Sequence, residues 1–122
     1  MTKLPGFALY VSCLLLPAGV AVGQELQFAS LGDFQLDSGE VIRDCRIGYR
    51  TFGKLNAGKT NAVLLPTWAS GTSEQLKSNV GSGRLVDDAT HYVIAVDALG
   101  NGVSSSPSNS KLQPRMQFPK FT

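Results

Sequence analysis

Residues Gly53 to Thr60 read GKLNAGKT and meet every letter of the spacing G-x-x-x-x-G-K-S/T. In nucleotide-hydrolysing proteins that spacing joins a strand to a helix. Backbone amides and the helix N-terminus face the phosphates, and the lysine caps them. Val93 to Asp97, VIAVD, has the form of the apolar strand whose terminal aspartate holds their magnesium. The chemistry requires a helix after Thr60, but the residues there are Asn61-Ala62-Val63-Leu64-Leu65-Pro66. Pro66 would break a helix in its second turn, and the apolar run has the composition of a buried strand. A strand–loop–strand unit offers phosphates no helix N-terminus. The stretch is therefore expected to be a Gly/Asn turn with Lys54 and Lys59 in solvent, and nucleotide hydrolysis ranks third among the readings.

Serine chemistry is the second possibility. A nucleophilic serine needs a sharp strand-to-helix turn, with two backbone amides nearby to hold an oxyanion. No serine here has glycine two before and two after. Ser104 follows Gly102 but precedes Ser106, and Ser82 lies directly between Gly81 and Gly83. His91 is the only histidine. It precedes the strand that leads to Asp97, away from the C-terminal strand ends where α/β sites form. It is expected to be an ordinary residue at the start of a strand. Gly100-Asn101-Gly102 starts a dinucleotide fingerprint, G-x-G-x-x-G, but Ser105 fills the third glycine position and no helix pattern follows.

The elements that would position these residues can be read from periodicity. Phe34 and Leu36 alternate with polar residues, Asp37-Ser38-Gly39 is turn chemistry, and Val41 to Phe52 is rich in β-branched and aromatic residues. A hairpin is expected there. Ala62–Leu65 and Tyr92–Val96 are apolar throughout and read as fully buried strands of a sheet covered on both faces, hence α/β. Between them a short helix is expected within Glu74–Leu85, limited by Gly81 and Gly83. From Gly100 onward the Gly, Ser, Pro and Asn content marks a long loop.

Composition bounds the rest. The chain has 122 residues, 43% of them hydrophobic, and a net charge of +2. That is one domain with material for a core. The charge is too slight, and the basic residues too scattered, for a nucleic-acid partner. Residues 1–23 carry Lys3, an apolar stretch from Phe7 to Leu16, then Pro17 and the small residues Ala21-Val22-Gly23. This is the pattern of a signal peptide cleaved before Gln24, with periplasmic or secreted localisation and no membrane anchor after cleavage. A single membrane anchor is the alternative, although the run is short for a span. Cys13 would leave with the signal. Cys45 would remain without a disulfide partner and is expected to be a small buried side chain.

Read with its strand, the second glycine-rich loop is D-x-x-G-x-G-x-S, from Asp97 through Gly100 and Gly102 to Ser104. It resembles the loop after the fourth strand of α/β-hydrolases. YRTFGKLN, NAVLLPTWASGT, VIAVDALGNGVSSSPSN and a following FP stand in the order and spacing of the homoserine O-acetyltransferase-like branch, preceded by its F-x-L-x-S-G segment at Phe34–Gly39. The resemblance runs from Phe34 to Pro119. It implies the N-terminal part of an α/β-hydrolase sheet, an antiparallel hairpin followed by parallel strands, incomplete. It also implies acyl transfer or hydrolysis through a serine acyl-enzyme acting on a small-molecule ester or acyl substrate, with no cofactor and no metal.

In that family the loop after the third strand gives one oxyanion-hole amide. Matching Gly71 to the glycine of the family's H-A-L-T-G places Ala69 at the donor position, within Thr67-Trp68-Ala69-Ser70-Gly71. Thr67 replaces the acetyltransferases' histidine, which weighs against homoserine as substrate. Trp68 is expected to pack under the loop, and Asp97 to tie down its own loop. The family's elbow serine, aspartate and histidine come later in its chain, so residues 24–122 are expected to be an inactive N-terminal fragment with exposed edges and poor solubility. A small exported binding or structural module is the alternative.

Overall fold

The computed structural model describes residues 24–121. The signal segment assigned to residues 1–23 lies outside them. Strands β1 (Gln27–Gln35) and β2 (Val41–Phe52) form the expected antiparallel hairpin. Its turn is closed by Leu36 N–H to Glu40 O at 2.8 Å and Gly39 N–H to Leu36 O at 2.9 Å. β1 starts well before Phe34, and its pairing is irregular between Ser30 and Phe34, where two register shifts bend the strand.

β3 (Ala62–Pro66) and β4 (Tyr92–Val96) run parallel to each other, and β4 pairs antiparallel with β2. The sheet order is β1-β2-β4-β3. This open mixed sheet matches the N-terminal part of an α/β-hydrolase sheet. The crossover from β3 to β4 carries a single helical turn, α1 (Ser73–Leu76), continued by a 3₁₀ turn over Lys77–Asn79. The helix is shorter than the expected window. The Gln75 side chain accepts the Thr72 N–H at 2.9 Å, which satisfies one of the amides a helix start leaves open.

GKLNAGKT is a turn between strands. Lys59 N–H donates to Asn56 O at 3.0 Å, and Asn56 Oδ1 accepts the Thr60 N–H at 2.8 Å. β3 begins at Ala62, two residues after the motif ends. No helix follows, so no array of amides faces a phosphate.

Among the described residues two clusters form the core. Phe52, Leu76, Val80, Val93 and Ala95 pack where α1 covers the sheet, with Leu65 and Val86 against them. Ile42, Cys45 and Phe118 form the second, with Leu36 and Leu99. Burial pushes the Cys45 thiol up and its neighbour Asp44 adds to that, against a lowering hydrogen bond from Ser105. The thiol therefore stays protonated, as a packing residue does.

The two apolar strands are not both fully buried. β4 has Val93 and Ala95 buried and its alternate residues half-buried. β3 is an edge strand of this sheet, and Leu64 is 66% exposed on the face opposite Leu65. Continuous apolar composition misled here because periodicity cannot report whether a second layer covers a strand. An unpaired edge with an apolar side chain invites association. Residues 24–122 are expected to self-associate, and Leu64→Lys to shift them towards monomer with no loss of melting temperature. Sedimentation velocity checks this. A monodisperse wild-type monomer would contradict it.

Candidate functional site

β3 and β4 end level, with Pro66 opposite Val96. The chain leaves both strands at the same end of the sheet, where open α/β sheets form their sites. Thr67 N–H still donates to Val96 O at 2.9 Å, and Asp97 N–H to Gly48 O at 2.9 Å. The Thr67 hydroxyl oxygen accepts the Ala98 N–H at 2.9 Å. Thr67 thus joins the two loops at their root.

The first loop is a tight turn. Gly71 N–H donates to Trp68 O at 3.0 Å, which leaves Ala69 and Ser70 at the corner, both exposed. Among the described residues no group accepts a hydrogen bond from the Ala69 N–H. The Trp68 ring lies on Gly71 so closely that a β-carbon at that position would overlap it. Trp68 packs against its own turn, as expected, yet remains 53% exposed.

The second loop is built around Asp97, which is 1% exposed. Its Oδ1 accepts the Ser73 N–H at 2.8 Å and the Asn101 side-chain amide at 3.0 Å. That amide also donates to Gly71 O at 3.0 Å. The Asn101 side-chain oxygen accepts the amides of Val103 at 2.9 Å and Ser104 at 3.1 Å. The Ser104 hydroxyl donates to Asp97 O at 2.7 Å and accepts the Gly48 N–H at 2.9 Å. Its proton and one lone pair are engaged, and it is fully buried, so it is a clip rather than a nucleophile. Gly100 and Gly102 take φ of 84° and 92°, which lets the loop double back on itself. Asp97 Oδ2 is buried and accepts no hydrogen bond from the described residues.

Asp97 therefore ties down more than its own loop. Through Ser73 it holds the start of α1, and through Asn101 it reaches the carbonyl of Gly71. α1 is anchored again from β2, where Arg50 pairs with Glu74 at 2.8 Å. Lys77 also pairs with Glu74 at 2.8 Å, and this hydrogen bond holds the Glu74 carboxyl below its ordinary value, with Arg50 adding to the effect.

The eight residues singled out from sequence, Thr67, Trp68, Ala69, Gly71, Asp97, Gly100, Gly102 and Ser104, all lie on these two loops. His91 sits at the other end of β4, about 20 Å away at the rise of a strand. Its Nδ1 lies 2.9 Å from the Thr90 hydroxyl, and the residue is exposed. Sequence reasoning missed the weight of Asn101. The available signal was an asparagine between two glycines directly after a strand, where its side chain can bond nearby backbone. Among the described residues no three metal-ligating side chains gather. The arrangement can present a fixed backbone donor at the sheet's C-terminal end.

If Trp68 and Gly71 interlock, Gly71→Ala must push the ring off the turn. Trp68 is the only tryptophan, so its emission should shift to the red, with a loss of about 1–3 kcal/mol from overpacking. Gly58→Ala, where a β-carbon meets only ordinary contacts, should leave the emission unchanged. Fluorescence with urea titration checks both.

No family model matches the chain. An ethyl acetate hydrolase of Pseudomonas veronii is 39% identical over 85 residues, 69% of this chain and 24% of that protein. A homoserine O-acetyltransferase of Caulobacter vibrioides is 33% identical over 124 residues, 87% of this chain and 31% of that protein. The crystal structure of an acetylester hydrolase from Corynebacterium glutamicum matches with a TM-score of 0.67 at 39% identity, over 71% of this chain and 25% of that one. The chain spans about a quarter of the length of the esterases it matches. Sequence and fold together put it in the α/β-hydrolase superfamily, with esterases and homoserine O-acetyltransferases as its homologues.

Proposed function

We propose that this chain carries the oxyanion-hole loop of a serine-dependent enzyme that hydrolyses small-molecule esters, with the Ala69 N–H as one of two donors. The observation that carries the reading is the Ala69 N–H itself. It stands at an exposed corner, free of any acceptor among the described residues, on a turn fixed by Thr67 at its root and Asn101 at its far end. A donor held in place before reaction needs no reorganisation when the carbonyl oxygen of an ester gains charge. As a serine hydroxyl adds to the ester carbon, the C=O electron pair moves onto that oxygen and the N–H holds it. Expulsion of the alcohol leaves the acyl-enzyme, and water then releases the acid.

Hydrolysis is preferred to transfer for two reasons. The esterase relatives reach 39–41% identity against 33% for the transferase, and Thr67 stands where the acetyltransferases have histidine. The serine, acid and histidine of the reaction are supplied from outside these residues, since no serine here has the spacing of an elbow. By itself the chain is then inactive. Residues 1–23 are read as an export signal, and the reaction then runs in the periplasm or outside the cell.

The test uses p-nitrophenyl acetate. The chain alone should give no turnover above buffer. Grafted in place of the matching segment of the Pseudomonas veronii hydrolase, residues 24–122 should support turnover. Ala69→Pro in that graft should cut kcat about 10²–10³-fold, the usual cost of one lost oxyanion donor. Proline is favoured at the second position of a tight turn, so the change removes the N–H and keeps the loop. An unaltered kcat in the Ala69→Pro graft would end the proposal.

A further inference from the structure

A cavity of about 110 Å³ opens between the β1–β2 hairpin and the loop that follows Ser104. Arg43, Arg46 and Lys111 line it, together with Asp44, Ser105 and Ser110. Three basic residues and one acidic residue thus line it, with the Asp33 carboxylate beside Asp44. Among the described residues the ion pairs join only Arg50, Lys77 and Glu74, so none of the three cavity cations is paired with an acid.

The walls are held by contacts distant in sequence. Arg46 N–H donates to the Ser105 hydroxyl at 2.9 Å, and Ser105 N–H to Arg46 O at 3.0 Å. The Arg46 guanidinium lies over the Phe28 ring, 4.7 Å from its centroid, which holds its charged head on β1. Gln113 accepts the Arg43 N–H at 2.8 Å and donates to Val41 O at 2.9 Å, stapling the Lys111 segment to β2. The Asp44 N–H is taken by Asp33 at 3.0 Å. The Ser110 hydroxyl accepts the Gln113 N–H at 3.1 Å, which leaves its own hydrogen to donate. The backbone walls are thus fixed before the site fills, which limits the ordering on binding to the lining side chains.

The size admits only a small group, and the lining is polar. Guanidinium forks match the paired oxygens of phosphate, and a lysine adds a compact point charge. We propose that this cavity binds a phosphate group, either free inorganic phosphate or the phosphate of a small phosphorylated molecule. Arg43, Arg46 and Lys111 against Asp44 and the neighbouring Asp33 leave the surroundings basic, which favours the dianion, so binding of a phosphate monoester should weaken as the pH falls below about 6, where the dianion takes up a proton.

The purified chain titrated with inorganic phosphate at constant ionic strength tests this, followed by amide NMR shifts. Saturable shifts confined to residues 43–46 and 105–112 are expected. Arg43→Gln and Lys111→Gln should each weaken binding about tenfold or more. Both side chains are exposed, so circular dichroism should be unchanged. Lys54→Gln, in the turn before β3, should bind as the wild type does. A parallel titration with glycerol phosphate distinguishes the source. Binding of either ligand at this cavity supports the proposal, and binding of inorganic phosphate alone assigns the free ion. Shifts that do not saturate, or affinity equal in wild type and both cavity variants, would overturn it.

Discussion

The Asp97 carboxylate sits where β4 ends, shut away from solvent, and the β3–β4 crossover meets the loop after β4 on it or on its immediate partner. A carboxylate with 1% exposure loses its water, and such a loss is tolerated only where hydrogen bonds replace it. The Ser73 amide and the Asn101 side chain do so at Oδ1, while Oδ2 accepts no hydrogen bond from the described residues. In return the carboxylate fixes the first residue of α1 and the side chain from which the Val103 and Ser104 amides hang. The loops after β3 and β4 are therefore a single hydrogen-bonded unit.

That unit explains why the turn at Trp68–Gly71 can be short and exposed without being loose. Its start is bonded to β4 through the Thr67 amide and hydroxyl. Its end is bonded to Asn101 through the Gly71 carbonyl. The tryptophan ring fills the space over Gly71. A backbone donor at the corner is then held in place, as the proposed oxyanion hole requires. Loops carry function when a rigid scaffold holds them, and here the scaffold is the level ending of two parallel strands.

Much of this was legible in the amino-acid sequence. The hairpin followed from Asp37-Ser38-Gly39 between β-rich runs, and β4 from Tyr92–Val96. GKLNAGKT could be set aside as a phosphate loop because the residues after it, Asn61 to Pro66, read as an apolar strand ended by proline where the chemistry requires a helix. The site residues fell on two loops because the family blocks carried their order. The exposure of Leu64 was not legible from composition, since an apolar edge strand and an apolar central strand have the same letters. Nor was the reach of Asp97. A short-range pattern suggests that an aspartate binds its own loop, but its bond to Ser73, 24 residues away, depends on where the crossover brings α1 back to the sheet.

The most direct test of this account is native-state hydrogen exchange on Asn101→Ala. If the two loops are one unit, protection should fall together at the Ser73 amide and at the Val103 and Ser104 amides. The β2–β4 pairing from Tyr49 to Phe52 should keep its protection. Loss confined to Val103 and Ser104, with Ser73 unchanged, would contradict the account and leave Asp97 a local clip.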